Sequence, residues 1–146
     1  MLVVFQFLAV LCCILFAGAA IYINLVEHPA RMGCDTKTAV TVWMPSYKKA
    51  TAMQAPLAVI SFLAGGAVWL LGGGLLWLIG AVLIGLVVPF TFIAVMPTNN
   101  QLLAPGRDLS SAETRSLLDK WGRLHGVRSA LSFLASIVYL VSLIRT

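Results

Sequence analysis

Leu2 to Val26 is a run of 25 residues without one charged side chain. As a helix rising 1.5 Å per residue it would reach about 37 Å, more than the roughly 30 Å hydrocarbon core of a bilayer. No basic segment precedes it, no small-residue cleavage site follows it, and it is too long for the apolar stretch of a signal peptide. It is expected to remain as a membrane helix. Three more runs follow: Ala55 to Leu71, Leu75 to Met96 and Val127 to Ile144, the last carrying only Arg128. Backbone groups in lipid must be paired within their own segment, so each run predicts a helix, and Gly72-Gly73-Gly74 offers a tight turn between the second and third.

The expected fold is therefore all-α, a polytopic membrane protein built as a four-transmembrane-helix bundle in one domain, 1–146. Its helices are placed at about 2–26, 46–71, 75–96 and 121–144, with polar segments at 27–54 and 97–120. Composition agrees: 60% of residues are hydrophobic, only 10% are charged, and the mean hydropathy is +0.97. A soluble domain would carry about a quarter of its residues charged.

Nine of the ten basic residues lie at one end of such a bundle, and only Arg145 lies at the other. The positive-inside rule makes both long loops cytoplasmic and both termini external, in a cytoplasmic (inner) membrane. All five acids share the basic end, so the net charge of +5 reads as a membrane-surface feature, with no nucleic acid as partner. Cys12, Cys13 and Cys34 have no C-x-x-C spacing and predict neither a disulfide framework nor a zinc site.

The unusual residues gather at the basic end. Helix 1 closes in "NLVEHPAR", "WMPSYKKATAMQAP" leads into helix 2, "MPTNNQL" follows helix 3, and "WGRLHGVR" opens helix 4. Trp121, His125, Arg128, Ser132 and Tyr139 fall on one helical stripe, and so do Trp43, Tyr47, Ala50 and Gln54. Pro29 is expected to end helix 1 and Pro97 to end helix 3, and Pro56 and Pro89 to kink their helices. Taken singly, Trp43, Tyr47 and Trp121 read as interfacial belt residues, Arg123 as a snorkelling side chain, and Glu27–Arg31 as a surface ion pair of little worth. His125 and Arg128 resist that reading, because ionisable groups inside a membrane helix are costly and face a cavity or a partner.

Two chemistries suit these residues. A single metal ion held by His28, His125 and Glu27 is allowed by geometry, although no paired-ligand spacing occurs. No flavin, nucleotide or covalent haem motif is present. The alternative is a metal-free proton-transfer site. There His125 or His28, with Glu27, takes a proton from an acidic carbon, while Arg128 and Arg123 stabilise a flat, delocalised anion between aromatic walls.

On "YINLVEHPAR", "WMPSYKKATAMQAP", "MPTNNQLL" and "WGRLHGVR" the chain resembles the anthrone oxygenase-like family of small four-helix membrane proteins. The resemblance covers nearly the whole chain and implies, for some fungal members, oxygenation of an anthrone to an anthraquinone. It points to Trp43, Tyr47, Thr98, Asn99, Trp121 and Arg128 as site residues, whereas "EHP" and the histidine of "RLHGVR" look like features of a bacterial branch. The combined expectation is an oxygenase-like or oxidoreductase-like protein. Its partners are the bilayer and a small aromatic or quinone-type ligand; a homo-oligomer is left open. His125, His28, Glu27 and Arg128 would be catalytic, and Trp43, Tyr47, Gln54, Thr98, Asn99, Trp121 and Arg123 would bind substrate. The runner-up is a non-enzymatic accessory protein that binds a ligand, a metal or a partner.

Overall fold

The computed structural model describes residues 1–145 and contains four helices long and apolar enough to cross a membrane: α1 (Leu2–Met32), α2 (Thr36–Gly73), α3 (Leu75–Leu102) and α4 (Ala112–Ile144). They form an all-α bundle in which α1 and α3 each pack against both α2 and α4. The chain is an integral membrane protein. Side chains such as Val4, Phe7, Leu25, Leu63, Leu70, Ile93 and Phe133 are exposed, as a lipid-facing belt requires.

Every helix outruns its apolar stretch at the charged end. α2 begins at Thr36, ten residues before the expected start, because Asp35 caps it: its carboxylate accepts from Thr38 N–H (3.0 Å) and Thr38 Oγ (2.6 Å). Those bonds hold the Asp35 carboxyl below its ordinary range. α4 begins at Ala112 rather than near residue 121, with Ser111 Oγ accepting from Thr114 N–H at 3.1 Å. Arg115 then donates to the carbonyls of Met32 and Cys34, which ties α4 to the end of α1.

Neither Pro29 nor Pro97 ends a helix. Each follows a π-helical turn, Ile23–Glu27 before Pro29 and Thr91–Val95 before Pro97, in which His28 N–H reaches back to Ile23 O and Met96 N–H to Thr91 O. A proline lacks the N–H of the regular ladder and its ring crowds the carbonyl four residues back; the wider turn relieves that crowding, and the helix continues. At the opposite end Gly72 (φ +88°) and Gly74 (φ +92°) make the tight turn between α2 and α3, a backbone geometry that side chains oppose.

The core has two parts. Around the glycine turn, Ala9, Cys13, Phe16, Ala58, Ala64, Trp77, Ala135 and Tyr139 pack together. Nearer the charged end, Ile23, Val40, Trp43, Val95, Leu102, Leu118 and Trp121 form a second cluster. Between the two lies a polar layer.

Candidate functional site

The polar layer surrounds a cavity of about 80 Å³ lined from all four helices, with Ile23 and Arg31 from α1, Tyr47 and Gln54 from α2, Thr91 and Asn99 from α3, and Trp121, His125 and Arg128 from α4 among its walls. Both π-helical turns border it, through Ile23 and through Thr91 and Val95. Tyr47 and Met96 are half-buried and Thr51 is exposed, so the rim lies between α2 and α3.

Of the residues expected from the sequence, His125, Arg128, Tyr47, Gln54, Asn99 and Trp121 line this cavity. The others stand off it. Trp43 is fully buried behind the wall, stacked on Tyr47 (4.7 Å between centroids) and edge-on to Trp121 (5.8 Å). Thr98 is buried on the same helix as Asn99 without lining the cavity. Arg123 is exposed and faces away, so its proposed contact with a bound anion is not made. His28 is buried, not loosely held at a chain end. Its ring packs on Trp121 (5.1 Å) and over Gly122, where a Cβ would come within 2.6 Å of Nε2.

Glu27 does not reach the cavity; it binds Arg31 and accepts from Ser46 Oγ. This pair is no surface ion pair. The Arg31 side chain is 3% exposed, and only Glu27 keeps contact with the outside. The metal set His28, His125 and Glu27 does not converge: among the described residues no three His, Cys, Asp or Glu side chains gather to hold an ion. The two histidines meet through Trp121, whose indole stacks on His125 at 4.9 Å.

Asn24 is one of the residues that the sequence reading missed. Its Nδ2 donates to the carbonyl of Gly122 at 2.9 Å, which fixes the orientation of the amide. Its Oδ1 therefore faces His125 Nδ1 (2.6 Å) and accepts from Ser129 Oγ (2.6 Å). A carbonyl oxygen cannot donate, so Nδ1 carries the proton and the lone pair of the neutral ring is on Nε2. Asn24, Arg31, Ser46 and Ser129 carry no signature of their own; the one clue was a polar residue, Asn24, inside an apolar run.

The cavity wall is rich in donors. Arg128 Nη2 donates to Gln54 Oε1 at 2.9 Å, yet Arg128 Nε, Gln54 Nε2, Trp121 Nε1, and Arg31 Nε and Nη1 are buried with no partner among the described residues. Asn99 Oδ1 is the matching lone acceptor. Such groups are costly to bury unless something polar meets them.

The family model described as anthrone oxygenase matches residues 43–138, well over half of the chain. A curated relative, anthrone oxygenase tpcL of Aspergillus fumigatus, is 37% identical over 62 residues, covering 40% of this chain and 38% of that protein. The chain thus aligns with well under half the length of that relative. No solved structure matches. The α1 residues in and behind the cavity wall, Ile23, Asn24, Glu27, His28 and Arg31, lie outside the matched residues.

Proposed function

The chain belongs to the anthrone oxygenase family, and from that premise we propose that it oxygenates a small aromatic molecule of the anthrone type in the cavity around His125. One observation carries the reading. His125 has its Nδ1 committed to Asn24, which leaves Nε2 as a base in a cavity shared with Arg128 and walled by Trp121 and Tyr47. Nε2 takes a proton from the activated CH₂ of the substrate, and the resulting planar enolate carries charge on its oxygen. Dioxygen adds at the carbon, and the peroxide, once protonated, loses water to leave the new carbonyl. Arg128, held by Gln54, stabilises the oxyanion by donating to it.

The size of the cavity supports a second reading. At about 80 Å³ it falls well short of the roughly 300 Å³ at which ligand pockets begin, which favours a protein that binds a small polar group without turnover. Conversion of anthrone to anthraquinone by the purified protein in detergent separates the two. With turnover in the wild type, His125→Ala should lose at least about 100-fold in rate, the usual contribution of a positioned base, while melting as before. Full activity in His125→Ala removes His125 as the base, and no turnover in the wild type favours the binding reading.

The charge asymmetry supports a location in the cytoplasmic membrane with both termini outside and the cavity toward the cytoplasm. A reporter enzyme active only outside the cytoplasm should work when fused at either terminus. A cytoplasmic C-terminus reverses the orientation.

A further inference from the structure

We propose that Arg31 and Arg128 together form an oxyanion site in the cavity, and that the charged end of the ligand is a carboxylate or an ionised enol or phenol. The proposal deepens the reading above and rests on it for the aromatic body of the ligand. Both arginines line the cavity and both are at least nine-tenths buried, Arg31 at 5% and Arg128 at 7% exposure. They enter from α1 and α4, and each lies near an aromatic face, Arg31 over Trp121 at 5.9 Å and Arg128 over Phe16 at 5.6 Å. Against two positive charges stands one carboxylate, Glu27, which is engaged by one nitrogen of Arg31 and reaches the protein surface.

The unpartnered atoms decide what the site takes. Arg31 presents Nε and Nη1, Arg128 presents Nε, and Gln54 Nε2 adds a neutral donor. Asn99 Oδ1 is the one unpartnered acceptor beside these donors, and the residual charge is positive, so the main complement is an acceptor with negative charge. Planar forks match the two oxygens of a carboxylate or the delocalised oxygen of an enolate better than a point charge would. A cavity of about 80 Å³ admits a few heavy atoms, so it takes the charged end and reacting edge of a ligand, whose remaining rings extend to the rim between α2 and α3.

The test uses the full-length protein in detergent, with thermal melting followed against sodium formate. Sodium gluconate at equal ionic strength, an anion too large for the cavity, is the control. Formate should raise the melting temperature with saturation and gluconate should not. Arg31→Gln and Arg128→Gln should each lose the saturable rise. Glu27→Gln should instead tighten formate binding several-fold, since it removes the competing charge, whereas a purely structural Glu27 would weaken it.

Equal responses to formate and gluconate in the wild type overturn the site even where a variant fails to fold, and so does a saturable rise that survives in both arginine variants. A three-ring probe, 9-anthracenecarboxylate, identifies the source of the anion. Competition with formate supports an anion borne by the aromatic ligand, whereas formate binding without competition overturns that part and leaves a site for a free small anion. None of these readouts uses turnover, so loss of the oxygenase reading and loss of the anion site are separate results.

Discussion

Around Tyr139, at the glycine-turn end, buried polar groups answer one another. Tyr139 Oη donates to the carbonyl of Ser61 (3.1 Å), Ser61 Oγ donates to the carbonyl of Ala9 (2.8 Å), and Cys13 Sγ meets Ser136 Oγ at 3.4 Å. Around His125 the same kinds of group are left open. Of the ten buried side-chain nitrogens and oxygens without a partner among the described residues, nine belong to the charged end and one, Trp77 Nε1, to the other. Both regions lie on one stripe of α4, and burial alone does not tell them apart. The state of the hydrogen-bond partners does: it is closed around Tyr139, whereas six of the nine open atoms at the charged end belong to residues that line the cavity.

The sharpest way to break this contrast is Arg128→Met. Removing an anion partner from a preorganised site should cut turnover by about 10² to 10³, the loss typical of one oxyanion donor. Because a buried cation without a carboxylate partner is replaced by an apolar chain, the melting temperature should hold or rise. Parallel rate and melting measurements decide it; a large fall in stability would make Arg128 part of the scaffold.

Gly80→Ala tests the other half. A Cβ there would lie 2.5 Å from the Tyr139 ring, which also packs on Trp77 and is held at its hydroxyl by Ser61 beside Gly65. Overpacking of this kind costs about 1 to 3 kcal/mol. Chemical denaturation should show that loss, while the folded fraction keeps wild-type turnover. Unchanged stability would mean that the lower core is looser than its packing implies.

The finest test is the state of one ring. The chain has two histidines, so ¹⁵N-histidine labelling gives few signals to assign. His125 should carry its proton on Nδ1 in the neutral form, and Asn24→Leu should move the ring toward the Nε2–H tautomer. An Nε2–H ring in the wild type would reverse the assignment of the base.

Much of this was legible in the chain and some was not, for reasons that differ by residue. The four helices follow from apolar runs, three of them uncharged and the fourth carrying only Arg128, and the α4 stripe from its spacing. The early starts of α2 and α4 were hidden by charge: Lys37, Glu113 and Lys120 look like loop residues, although Asp35 and Ser111 are ordinary caps three residues ahead of Thr38 and Thr114. Trp43 and Arg123 show the limit of spacing arguments. Trp43 is on the correct stripe yet sits behind the wall, and Arg123, two residues from His125, points outward. Arg31 and Asn24 needed the tertiary contacts, because a sequence does not say whether an arginine after a membrane run returns to water or turns inward.

The π-helical turn at Ile23–Glu27 also acts as a phase shift. The buried face of α1 passes through Phe16, Ala20 and Ile23 at steps of four and three, then jumps five to His28 before continuing three to Arg31. One extra residue in a turn rotates everything beyond it by about 100° relative to an unbroken α-helix. The two ends of α1 therefore obey separate angular frames, one set by the lower core and one by the cavity. Substitutions that rotate or repack the lower frame need not disturb the aim of Arg31, and the site can be retuned without re-solving the packing that holds the bundle in the membrane.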